Sequence, residues 1–238
     1  MTDVCSLSLW YYIPVLMTSL VRKFDASLRV VPVREWSEDV FKIGLDLLDL
    51  PRVRAEMEID LTIQKSLTGA FKTAHPGRIC TPDAAIPTCF GQKICVKQVY
   101  WRNSKKSISR YRGPAELGKI VMEVNCLDWA TILLDLTYRF IEEQVVGRGD
   151  PTEGIPRLRF VRAMLADVES DQKCFLIEEW VEGTGTFTKY INNGRPVSCV
   201  QADAPAEVHR IAEFLCFAQH VQYNLTYGLA FTSDYQGL

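Results

Sequence analysis

The sequence predicts an α+β fold in two lobes, the first strand-rich and the second shorter and mixed. Three observations carry that prediction. Residues 56–64, "EMEIDLTIQ", alternate apolar and polar side chains, the pattern of a strand with one wet face. Residues 126–146 repeat apolar side chains at helical spacing, with Ala130, Leu133, Leu134, Phe140, Ile141 and Val145 on one face. Residues 147–156, "GRGDPTEGIP", then have the composition of a linker or exposed loop.

Taken in order, residues 4–21 carry no charge and are followed by Arg22 and Lys23. Pro14 and scattered Ser/Thr residues dilute this stretch, and no basic residue precedes it, so it reads as an extension and not as a membrane span or signal. Residues 1–50 are expected to form an N-terminal extension. Within it, residues 37–50 place Val40, Phe41, Leu45 and Leu48 at helical spacing behind Ser37, and Pro51 ends the run. The strand at 56–64 leads to "SLTGAFKTAHPG" at 66–77, where Gly69 and the Pro76-Gly77 pair read as turns. A second strand covers 93–101, expected beside the first in a twisted antiparallel sheet. The helix at 126–146 ends at Gly147. Strands are expected near 158–164 and 174–180. A helix follows over about 205–223, with Val208, Ile211, Ala212, Leu215 and Ala218 on one side, and Gly228 turns the chain into a closing strand.

Composition narrows the function. The chain has 238 residues, 47% apolar and 24% charged, with a net charge of −2, which suits a soluble globular protein and offers no basic field for nucleic acid. Eight cysteines lie in apolar segments without a Cys-x-x-Cys pair, and none is at zinc spacing with the three histidines. They read as reduced thiols in a cytoplasmic protein.

Two places carry candidate chemistry. Lys97 shares a strand face with Cys95, Val99 and Trp101. An ammonium there either snorkels past the sheet edge or is presented to bound phosphates, with Gly69 letting backbone N–H groups approach them. Glu123 and Asp135 are candidate acidic partners on spacing. At the other end, "FTSDYQGL" (231–238) sets Asp234 two residues from Gln236. On an extended segment these share a face and offer a carboxylate and an amide oxygen suited to Mg²⁺; alternatively Asp234 caps a turn that Gly237 completes.

Three segments together resemble the atypical alpha-kinase catalytic domain, the family of the myosin heavy chain and elongation factor kinases. They are "GAFKTAHPG" followed by "ICVKQV", "FLIEEWVEGTGTFTKYINNG" (175–194) and "FLCFAQHVQYNLTYGLAFTSDYQG" (214–237). The resemblance runs from about residue 56 onward and implies a kinase domain over 51–238, with an N-lobe to about 177 and a partial C-lobe over about 182–238. It implies an alpha-type Ser/Thr protein kinase that uses ATP and Mg²⁺ on a protein substrate. By it, Lys97 is the nucleotide-binding lysine, Gly69 lies in the loop over the phosphates, and residues 178–181, from Glu178 to Val181, are the hinge that meets adenine. Asp234 is the active-site aspartate and Gln236 its metal-binding companion, while Lys189, Tyr190, Asn192 and Asn193 join the lobes. In the family a second aspartate, a glycine-rich segment and a zinc site follow the Asp-x-Gln-Gly motif. The sequence given stops before them, so no zinc site and only a partial Mg²⁺ site are expected. The alternative is a catalytically inactive ATP-binding pseudokinase or scaffold.

Overall fold

The computed structural model describes residues 20–43, 46–62, 68–81, 85–91, 93–103, 107–146, 154–182, 187–193 and 195–237. The apolar stretch at 4–21 lies almost wholly outside them. Among the described residues, no helix is long and apolar enough to cross a membrane.

Six strands close into a ring: β1 (Val21–Val30), β2 (Arg52–Asp60), β3 (Lys72–Ile79), β4 (Ile94–Arg102), β6 (Ala163–Val168) and β7 (Lys173–Glu179). They are arranged β3-β2-β1-β6-β7-β4, β4 pairs back onto β3, and all these pairings are antiparallel. A short strand, β5 (Ile108–Arg110), continues from β4. Strand alternation turns Phe24, Leu28, Met57, Ile59, Ile94, Val96, Met164, Phe175 and Ile177 into one buried cluster inside the ring. Phe24 meets Phe175 edge-on at 5.5 Å, and each such side chain, once buried, stabilises by roughly 1.5–3 kcal/mol.

Three expectations are corrected here. Residues 21–30, assigned to an extension, form β1 in the middle of the sheet, so the barrel reaches back across the boundary expected at residue 50. The two strands expected side by side, β2 and β4, are separated by β3, which occupies the stretch read as turns. Pro76 and Gly77 lie inside β3, at its corner. Gly77 is opposite both Ile59 of β2 and Ile94 of β4. A Cβ on Gly77 would sit 2.8 Å from the Glu58 carbonyl oxygen and 2.9 Å from Val96 Cγ2. Proline and glycine are thus tolerated because this strand changes partners there.

A short helix follows β1, and a long one links barrel and second lobe. Helix α1 (Glu38–Ile43) and the turn Leu47–Asp49 occupy the segment after β1. Helix α2 (Pro114–Val146) begins 12 residues before the helix expected at 126. At 1.5 Å per residue, its 33 residues span about 50 Å, enough to serve both lobes. Its Ile120 and Val124 pack with Val99, Leu165, Cys174 and Leu176 on the outside of the barrel. Further along, Leu134 and Ile141 join Tyr190, Ile191, Ala212, Phe214, Leu215 and Tyr235 in a third cluster. That cluster is floored by α3 (Ala206–Leu225), close to the helix expected. Residues 158–162, expected to begin a strand, instead form an irregular strap ahead of β6. The closing strand is reduced to β9 (Gln236–Gly237), paired with β8 (Thr188–Lys189).

Candidate active site

Lys97 lies opposite Leu176, and Glu178 lies opposite Cys95. The lysine and the glutamate are therefore diagonal neighbours on the outer barrel face, within reach of long side chains. Lys97 Nζ donates to Glu178 Oε2 at 2.5 Å. The two side chains are 25% and 9% exposed, so a half-buried ammonium has its counter-charge. Neither spacing-based candidate partner serves Lys97: the Glu123 carboxylate accepts from Lys72, and Asp135 feels Arg139 instead. Cys95, beside the pair, is no ready nucleophile, because burial pushes its thiol up.

Gly69 sits in the turn that enters β3. Its N–H donates to the Lys72 carbonyl at 2.9 Å, and its carbonyl accepts from the Tyr100 hydroxyl. Residues 63–67, the other half of that loop, fall outside the described residues. At the far end of β7, Trp180 carries Lys93 Nζ over its ring at 3.9 Å, and Val181 is exposed.

The Asp-x-Gln-Gly segment is firmly held. The Tyr235 carbonyl accepts from the N–H groups of Tyr190 (2.9 Å) and Ile191 (3.4 Å). Gln222 Oε1 accepts from Thr232 N, and Gln219 Nε2 donates to the Thr232 carbonyl, each at 2.8 Å. Ser233 Oγ donates to the Asn192 carbonyl at 3.3 Å. These contacts leave the Asp234 and Gln236 side chains exposed while fixing the backbone between them. Tyr235 is 5% exposed, and burial pushes its hydroxyl up to about 12.

Asp234 is not extended. Its φ of +63° places it in the left-handed region, which aspartate tolerates better than most residues. The alternation expected to put Asp234 and Gln236 on one face therefore breaks at Asp234. The β8–β9 pairing gathers them another way: Lys189 lies opposite Gln236 and its ammonium donates to Asp234 Oδ1. Among the described residues, no group of three or more His, Cys, Asp or Glu side chains is arranged to hold a metal.

Sequence reasoning missed the residues that hold these groups. Glu179 is buried and accepts from the Arg159 guanidinium and from Arg162 N (3.0 Å). Phe160, between those arginines, stacks on Tyr235 with ring centroids 5.8 Å apart. The available signal was a pair of glutamines, Gln219 and Gln222, buried with Leu215 and Ala218 on α3, since buried amides need partners.

No protein-family model and no curated protein matches the chain. Solved structures do match it. An alpha kinase from Entamoeba histolytica superposes with a TM-score of 0.55 at 12% identity, over 91% of this chain and 72% of that one. The C-terminally truncated alpha-kinase domain of a myosin heavy chain kinase gives 0.52 at 12% identity, over 91% and 80%. The chain has the alpha-kinase fold. A third alpha-kinase domain, of myosin-II heavy chain kinase A in complex with AMP-PNP, gives 0.50 at 11% identity, over 91% and 79%. Within the alpha-kinase fold of this chain, Lys97 and Glu178 lie on the barrel. Asp234 and Gln236 lie on the second lobe, and the strap at 155–162 runs between the two.

Proposed function

We propose that the chain is an alpha-type Ser/Thr protein kinase domain that transfers the γ-phosphoryl group of ATP to a protein hydroxyl. The observation that carries this reading is the Lys97–Glu178 pair, a half-buried lysine held on the barrel of an alpha-kinase fold. In the proposed roles, Lys97 offers its ammonium to the nucleotide phosphates, and the turn at Gly69, whose own N–H is held by the Lys72 carbonyl, lets the backbone come close to them. The backbone from Glu178 to Val181 borders adenine. Asp234 and Gln236 hold Mg²⁺ through a carboxylate and an amide oxygen, a hard-donor pair that fits the ion in part. In this role Mg²⁺ takes the place of the Lys189 ammonium now paired with the Asp234 carboxylate. When bound, Mg²⁺ supplies charge neutralisation between the transferring phosphates. The acceptor oxygen bonds to the γ-phosphorus as the bond to the bridging oxygen breaks, the hydroxyl proton passes to solvent, and ADP departs. The cytoplasm, with its ATP and reducing poise, suits both this reaction and the free cysteines.

A second reading, an inactive ATP-binding pseudokinase or scaffold, is favoured by one observation: the cation on Asp234 is a lysine of the same chain. A radiolabelled phosphate-transfer assay with a generic protein acceptor separates the two. Transfer by the chain that is lost in Asp234→Ala supports the kinase; transfer no higher than that of the variant supports the pseudokinase.

A further inference from the structure

We infer that Phe160, clamped through Arg159 and Glu179, is the positioning residue that sets Asp234 relative to the Lys97–Glu178 pair; the catalytic side of this inference rests on the kinase reading above. The contacts form one continuous path. Glu178, which faces Lys97, is directly opposite Ala163 at the start of β6. The next residue, Glu179, donates its N–H to the Arg162 carbonyl at 3.1 Å, and its carboxylate accepts from Arg162 N and from the Arg159 guanidinium. Three contacts from one buried glutamate thus fix the strap on both sides of Phe160.

Phe160 projects from the strap onto Tyr235, with ring planes 24° apart. Tyr235 is anchored from behind by α3, since its hydroxyl accepts from Gln222 Nε2 at 3.5 Å. Its carbonyl is the acceptor for Tyr190 and Ile191, next to Lys189. The ring of Phe160 therefore packs on the face of the residue that follows Asp234, while the helix holds that residue by its hydroxyl. Asp234 keeps a left-handed φ, which aspartate tolerates but does not adopt by default, so the contacts on its neighbours help to select it. A stacked aromatic pair whose far end is fixed to the barrel contributes to that selection from the barrel side. Geometry of this kind matters to phosphoryl transfer, where catalysis is chiefly positioning.

The test uses the whole chain and two readouts. Amide hydrogen exchange at Tyr190 and Ile191 is measured without nucleotide in the wild type, Phe160→Ala, Phe160→Tyr and Arg159→Gln. Arg159 is 71% exposed and Glu179 keeps its bond from Arg162 N in the Arg159→Gln variant, while the β2 amides report whether the barrel itself loosens. Exchange at both amides is expected to rise at least tenfold in Phe160→Ala and several-fold in Arg159→Gln. Phe160→Tyr is expected to stay at the wild-type rate, and amides of β2 to stay unchanged in all variants. Unchanged exchange, or a uniform rise that includes β2, overturns the inference. In the second readout, Phe160→Ala is expected to lower kcat about tenfold with ATP affinity within twofold of wild type, and Phe160→Tyr to restore it. Equal losses of kcat and ATP affinity overturn the catalytic side. If the wild type transfers no phosphate, the kinase reading fails, while the exchange measurement still decides whether Phe160 positions Asp234.

Discussion

Replacing Lys97 by alanine is expected to have two separable effects. The first is on stability. Glu178 is 9% exposed, so removing its partner strands a carboxylate in a place that water hardly reaches. Breaking a fully buried pair costs about 3–5 kcal/mol. Lys97 is itself a quarter exposed, which screens the pair and brings the expected cost down to about 2 kcal/mol. In a domain of this size that lowers Tm by roughly 4–8 °C. The double variant Lys97→Met with Glu178→Gln, which removes both charges, is expected to recover more than half of that loss. The second effect is on ATP. A charge-assisted hydrogen bond to phosphate contributes about 1.5–3 kcal/mol, so affinity is expected to fall by about tenfold to a hundredfold. Thermal unfolding followed by calorimetric titration, at a temperature where all variants are folded, measures the two separately. Equal ATP affinity in wild type and Lys97→Ala would refute the nucleotide role, and unchanged Tm would refute the buried-pair account.

Gly77→Ala is expected to destabilise the barrel by about 1–3 kcal/mol, because the new methyl group meets the Glu58 carbonyl at 2.8 Å; denaturant titration reads the shift in midpoint. His75 is buried, with Nδ1 on the Asp60 carbonyl at 3.0 Å and Nε2 on Thr73 Oγ1 at 2.8 Å. Burial above all, with the Arg110 cation adding to it, holds the imidazole below its ordinary value. The unfolded chain therefore binds more protons, and this contribution to stability is complete above about pH 6.5 and is lost as pH falls below it. His75→Gln is expected to flatten that part of the profile of unfolding free energy between pH 7 and 5. Burial pushes the Cys174 thiol up to about 12, so a maleimide at pH 7 is expected to label exposed Cys126 and spare Cys174, as peptide mass mapping would show.

What the sequence disclosed depended on whether a signal was local. Met57 and Ile59 are buried as their alternation requires, and α3 lies close to the predicted limits, because each element carries its own period. β1 was hidden because Lys23, Asp25 and a buried Arg29 occupy its outer face, and Arg22 shares the inner parity of only three well-buried apolar positions, Phe24, Ala26 and Leu28. The start of α2 was masked by Gly113, Pro114 and Gly118, although Ile120 and Val124 were already at helical spacing. Closure of the barrel left no local mark, since Pro76-Gly77 reads as a turn wherever it stands and here bends a strand between two partners. For the site, Lys97, Asp234 and Gln236 stood out as candidates and Lys97 was expected to point toward Glu178, but the pairings themselves carried no local mark. Glu178 and Lys189 are separated from them by 81 and 45 residues, and such pairs are set by strand register, which only the folded chain fixes.

The central claim is that nucleotide binds at the Lys97–Glu178 pair with its phosphates turned toward Asp234. A crystal structure of the chain with AMP-PNP and Mg²⁺ tests it most directly. Lys97 Nζ is expected within hydrogen-bond distance of a phosphate oxygen, about 3 Å, with adenine against the backbone of residues 178–181 and the metal on Asp234 and Gln236 in place of the Lys189 ammonium. Nucleotide bound away from Lys97, or phosphates pointing away from Asp234, would contradict it.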